Sequence, residues 1–186
     1  MLNSLIDFYL KSHPATLFVL GLLSVYFIVL VWVFLYRYFS LKQWIAKETS
    51  SLESLLLGAP SVSELSYLSH FIKTSSKVKR ELFDLGIFSA TKDATKGLSF
   101  LSVVASTAPF IGLFGTVVSI LDTFSHIGQA SGTMSVIAAG VSDALIATAS
   151  GIFVAIFAYT FHQILKRQSF DLIGLIRMQS DALLAR

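Results

Sequence analysis

Three long apolar runs, residues 16–36, 99–124 and 134–161, divide the chain, and only Asp122 and Asp143 interrupt them with charge. About 20 residues rising roughly 1.5 Å each cross about 30 Å of hydrocarbon, so each run predicts a transmembrane helix. The pattern changes in residues 37–98, where charged and apolar positions alternate. Leu41, Trp44, Ile45, Leu52, Leu55 and Leu56 form a helical stripe that stops at Gly58-Ala59-Pro60. Ser61 and Glu64 have the spacing of a capping box before a second helix bearing Leu65, Leu68, Phe71 and Ile72, and a third predicted helix runs from Lys77 to Phe88. Residues 125–133 are a short polar turn that makes the second and third runs an antiparallel hairpin. Residues 162–186 set Leu172, Ile173, Leu175, Ile176, Leu183 and Leu184 among Asp171, Arg177 and Asp181, an amphipathic continuation of the third span. Residues 1–15 lead into the first span, with Pro14 suited to a first helical turn.

Composition and charge sharpen this picture. The 186 residues are 54% hydrophobic and 13% charged, a membrane protein's balance, and the absence of Cys excludes disulfides and thiolate chemistry. A signal peptide is the rival reading of residues 16–36. The run is too long for a signal core, no small-residue cleavage site follows, and Trp32, Tyr36 and Tyr38 sit where an interfacial aromatic belt belongs, so it is read as a retained span. Thirteen of the fourteen Lys and Arg lie in residues 37–98 and 162–186, which puts both segments in the cytoplasm and the N-terminal segment and the 125–133 turn outside. The fold class is therefore all-α: a polytopic membrane protein with three transmembrane helices, a helical cytoplasmic loop and a helical cytoplasmic C-terminal extension. Basic residues in the loop interleave with six acids, which reads as a solvated helical face rather than a nucleic-acid site. His13, His70, His126 and His162 lack ligand spacing, and no constellation points to an enzyme, a metal or a cofactor.

The candidate chemistry centres on Asp143, the only Asp, Glu, Lys or Arg between Asp122 and Lys166. A carboxylate inside a bilayer costs several kcal/mol and is a functional candidate by default. The bland alternative is a protonated Asp that hydrogen-bonds a neighbouring helix. Thr116 and Asp143 each lie nine residues inside the turn, about 13–14 Å deep, with Thr148 about 7–8 Å deeper and about 140° around the helix from Asp143. Small residues line the second span at Ala108, Gly112 and Gly115. On the third span one stripe holds Gly140, Asp143 and Ala147, and a second holds Ala144, Thr148 and Gly151. Such stripes allow close backbone approach in lipid, and two adjacent ones suggest helix contacts on more than one side, as in an oligomer or with a partner helix.

Ser106-Thr-Ala-Pro-Phe-Ile-Gly-Leu-Phe-Gly-Thr-Val117 and Gly140-Val-Ser-Asp-Ala-Leu-Ile-Ala-Thr-Ala149 resemble the two signature spans of the ExbB/TolQ/MotA proton-channel superfamily, on its ExbB/TolQ side. The resemblance implies a bacterial inner-membrane subunit that conducts protons and energises outer-membrane processes. It implies a homo-oligomer, a pentamer, around the membrane helices of an ExbD/TolR-type single-span dimer in the central pore, with a TonB- or TolA-like protein as a further partner. It assigns Asp143, Thr116 and Thr148 to the proton pathway. Two departures stand out: Asp143 replaces the family's usual Glu, and Phe157 stands where a Pro is usual. The rival class is a non-conducting scaffold that assembles a single-span partner.

Overall fold

A computed structural model of the protein describes residues 14–74, 80–127 and 134–185. The residue 1–13 segment and most of the 125–133 turn lie outside that range. Five helices make up the described chain: α1 (Pro14–Leu56), α2 (Tyr67–Thr74), α3 (Arg80–Ala94), α4 (Leu98–Ile127) and α5 (Met134–Leu184), with no strand among the described residues. Three of them, α1, α4 and α5, are long and apolar enough to cross a membrane. Both α1, at 43 residues, and α5, at 51, far exceed what a bilayer needs. The first span and the Leu41–Leu56 stripe are thus one unbroken helix.

The chain divides into two compact units, and α1 and α5 each supply residues to both. In the first (described residues up to Trp32, with Phe100–Thr160), the buried side chains are Val19, Leu23 and Leu30 of α1, Val104 and Ala108 of α4, and Ala144, Ala147 and Ala158 of α5. Phe18, Ile28, Phe110, Phe114, Leu121, Leu145 and Ile156 point outward and are exposed. So much contiguous apolar surface marks a partner or a membrane, and on three helices of spanning length it fits hydrocarbon. The ring of Phe27 meets Phe153 and Phe157 at 5.7 and 5.6 Å between centroids.

The second unit, Val33–Ser99 with Phe161–Arg186, packs Leu41, Leu55, Leu68, Phe83, Leu165, Leu172 and Ile176. Here α1 ends at Gly58 with φ +103°, where Ala59 N donates to Ser54 O and Gly58 N to Leu55 O. These are the paired bonds of a Schellman cap, and a left-handed glycine suits it. The second helix starts at Tyr67 rather than after the Ser61–Glu64 box. Its first donor, Tyr67 N, is capped from another helix by Glu48 Oε1 at 2.8 Å. Glu48, grouped above with solvated charges, is fully buried. Trp44 Nε1 also donates to its Oε1, at 3.1 Å, while Ser66 Oγ and Gln179 Nε2 each donate to Oε2 at 2.9 Å. No Lys, Arg or His is among these partners. Both carboxyl oxygens of Glu48 thus accept from neutral donors.

At the other end of this unit, α3 runs six residues past its expected end at Phe88. Arg37 Nη2 of α1 donates to Asp93 O and Ala94 O at 2.9 and 2.7 Å, and Ser169 Oγ of α5 donates to Ala94 O at 2.8 Å. A cation on the last carbonyls of a helix satisfies orphan acceptors and the negative end of its dipole together. Gly97, at φ +86°, turns the chain into α4. The Asp93 side chain takes Tyr67 Oη at 2.9 Å and Lys96 Nζ at 2.7 Å. Lys96 first, then the Tyr67 hydroxyl, holds the Asp93 carboxyl below its usual range. Burial, the larger cause, pushes the Tyr67 phenol up.

Candidate functional site

The close approach of α4 and α5 organises the first unit. A Cβ added at Gly151 would sit 2.6 Å from Ala108 O and 2.9 Å from the Gly112 Cα. One added at Gly112 would sit 2.8 Å from Ala147 O. These obstacles are backbone atoms, which cannot swing aside, so both positions admit only hydrogen. Gly115 faces the Cβ of Ala147 and the Cγ1 of Val19, and Gly140 faces the Thr123 side chain. Ala108, Gly112, Gly115, Gly140, Ala147 and Gly151 therefore all lie where helix meets helix within one chain. Ser150, on the Asp143 stripe, lines an apolar groove of about 480 Å³ together with Leu20, Leu23 and Ser24 of α1. Both α5 stripes thus meet helices of the same chain, and they no longer argue for an oligomer by themselves.

Thr116 and Thr148 come together at this contact. Their hydroxyls touch. That corrects the depth counted from the turn, which set Thr148 deeper than Thr116: α4 runs on to Ile127, so residues counted from Ser125 misplace its register against α5. Thr116 Oγ1 also lies 3.1 Å from Ala144 O and 3.3 Å from Gly112 O, and Thr148 Oγ1 lies 3.3 Å from Gly112 O. Each hydroxyl has one proton to donate, so two protons are shared among four contacts and the bonding can rearrange without moving a helix. The threonines tie the hairpin to itself across its narrowest point. Nearer the 125–133 turn, Thr123 Oγ1 donates to Ser119 O at 2.8 Å and Ser119 Oγ to Gly140 O at 3.3 Å. The fourth helix continues unbroken through Pro109.

Asp143 is half-buried, on the α5 stripe of Gly140, Ala147 and Ser150 rather than on the Thr148 stripe. The site thus has two parts: a hydroxyl clasp between α4 and α5, and a half-buried acid on the neighbouring stripe of α5.

Sequence reasoning passed over Thr16, Arg37, Glu48 and Gln179. A signal for them existed. Thr16, Leu23, Leu30 and Arg37 are spaced by seven, as are Leu41, Glu48 and Leu55, and Leu165, Leu172 and Gln179. A polar residue on the seventh step of an apolar stripe shares the buried face of its neighbours.

Comparison with known proteins identifies the family. Residues 62–178 match the family model of the MotA/TolQ/ExbB proton channel family. The chain is 43% identical over 190 residues to the ExbB-like 1 biopolymer transport protein of Helicobacter pylori, covering 98% of each. It is 48% identical over 73 residues to the biopolymer transport protein ExbB of Neisseria gonorrhoeae, covering 38% of this chain and 33% of that one. With the Tol-Pal system protein TolQ of Pseudomonas aeruginosa it shares 42% over 78 residues, covering 41% and 34%. This chain belongs to the MotA/TolQ/ExbB proton channel family, a multi-pass membrane protein of the ExbB or TolQ type. That is a family of channel and transport subunits rather than of enzymes.

Proposed function

We propose that the protein is the proton-channel and stator subunit of an inner-membrane motor that uses the proton motive force to energise outer-membrane processes. The observation that carries the reading is Asp143, the one acid within the membrane stretch of α5, one turn outward from the tightly packed Gly112–Ala147 contact. Asp143 would take up and release a proton. The Thr116–Thr148 clasp would hold α4 and α5 at fixed spacing while its hydroxyl protons rearrange. Partners of the ExbD/TolR type, single-span and dimeric in the pore of a homopentamer, would supply the facing acid, and a TonB- or TolA-like protein would carry force onward. The N-terminus and the turn would be periplasmic, and the second unit cytoplasmic. One charge falling through 100 mV releases about 2.3 kcal/mol, so several protons per mechanical cycle fit the scheme.

The deciding experiment reconstitutes the full chain with its membrane partner in vesicles. Asp143→Asn keeps size and hydrogen bonding but cannot ionise; it assembles normally and loses proton flux. Asp143→Glu keeps a titratable group and retains part of the flux. Wild-type flux in the Asn variant would remove Asp143 from the pathway. The scaffold reading draws on one observation, that the threonine hydroxyls are bonded within the hairpin. It requires Asp143→Asn to preserve both assembly and force-dependent function.

A further inference from the structure

Thr16 of α1 is completely buried, and its Oγ1 has no hydrogen-bond partner among the described residues. Threonines in membrane helices usually bond their own backbone, as Thr107, Thr123 and Thr160 do here. A buried hydroxyl with nothing to bond is costly, and proteins resolve nearly all such groups, often with an ordered water.

Its level in the unit can be read from neighbouring contacts. The space at Gly115 is closed by Val19 on one side and Ala147 on the other, so these three residues share a level. Phe27 meets both Phe153 and Phe157, which carries the same register further along two parallel helices. One turn outward from Val19, Gly115 and Ala147 lie Thr16, Ser119 and Asp143. Asp143 shares its stripe with Ser150, which faces α1 across the groove. Ser119 is buried and donates its proton to Gly140 O, leaving its lone pairs open to a donor.

We propose that Thr16 is a positioning residue of the Asp143 site, holding a water shared by Thr16 Oγ1, Ser119 Oγ and the Asp143 carboxyl group. Three polar partners are what a buried water ordinarily needs. A hydroxyl suits the task because it both donates and accepts. Through the water it can stabilise an ionised carboxylate and, with its proton turned away, accept from a protonated one. The first span, which carries none of the family's signature residues, thereby gains a part in proton handling.

The assignment rests on the proposed proton transport only for its flux readout, so the test has a second arm. In the full chain in lipid, infrared spectroscopy reads the Asp143 carboxyl band, identified by its loss in Asp143→Asn. Water bands are identified by their shift in H₂¹⁸O. Thr16→Val should move the carboxyl band, abolish one water band and lower proton flux with the partner by about tenfold, the scale of one hydrogen bond. Thr16→Ser should restore all three. Thr16→Ala removes the same hydroxyl should the valine variant fail to fold. An unmoved carboxyl band and unchanged water bands, with a higher melting temperature in Thr16→Val, would show the hydroxyl idle and overturn the assignment. If wild type carries no flux while the bands respond as expected, the transport reading falls and the Thr16 assignment stands.

Discussion

At the scale of single residues, the α4–α5 contact is defined by what a methyl group would strike. Gly151 is packed against the backbone of Ala108 and Gly112, whereas Gly21 of α1 has nothing within 4 Å of an added Cβ. Gly151→Ala should therefore lower stability by about 1–3 kcal/mol, the cost of forcing bulk into a tight interface. Gly21→Ala should leave it unchanged or raise it slightly, since alanine is the better helix former. Thermal unfolding of both variants in the same detergent checks the pair, and equal melting temperatures would mean that the helices separate without penalty. The sequence made this contact readable through its small-residue spacing. It set Thr116 level with Asp143 rather than with Thr148, and the touching hydroxyls correct that, because counting residues from a turn does not fix the register between two helices.

At the scale of elements, burial of the Glu48 network sets the stability of the second unit. Glu48→Gln replaces one accepting oxygen by a donor group and turns it towards groups that already donate. A loss of about 2–3 kcal/mol is expected from the bonds left unmade. Melting of the full chain, with protease sensitivity near Gln179 as a local reading, measures it; wild-type behaviour in both would mean that the Glu48 network does not set the stability of this unit. The Asp93 carboxyl gives a pH signature. Its value is lowered by Lys96 and Tyr67, so its contribution is present above the unfolded value near 4 and is lost as pH falls through the lower folded value. Wild type should lose stability relative to Asp93→Asn over that acid window, and parallel melting curves would contradict it. Helix existence was legible here from periodicity and turn residues. The start of α2 was not, because its cap comes from a helix about twenty residues earlier; nor was the end of α3, because Arg37 and Ser169 extend it from outside.

At the scale of the molecule, the three spanning helices and the family motifs were both legible in the chain, because hydrocarbon imposes length and apolarity so strictly. The proposed orientation is open to a direct check on a background without native Cys. A Cys at exposed Ser125 should react with an impermeant thiol reagent from the periplasmic side, and one at exposed Ser54 should not. The reverse pattern would invert the direction of any proton path. What the sequence obscured was the meaning of the two α5 stripes, since a second small face can serve another helix of the same chain as readily as a neighbouring subunit.

The bond between Glu48 and Gln179 joins residues 131 apart in sequence. At roughly 5–20 residues per second of synthesis, Gln179 reaches the ribosomal exit about 7–26 s after Glu48. During that interval two further spans must enter the bilayer while the C-terminal half of α1 waits with Leu41, Glu48 and Leu55 still wet. The polar side chain that a finished unit must bury thus keeps the nascent helix end soluble. The second unit closes last, and a ribosome that stalls before residue 179 leaves it open to quality-control proteases although every membrane span is already made.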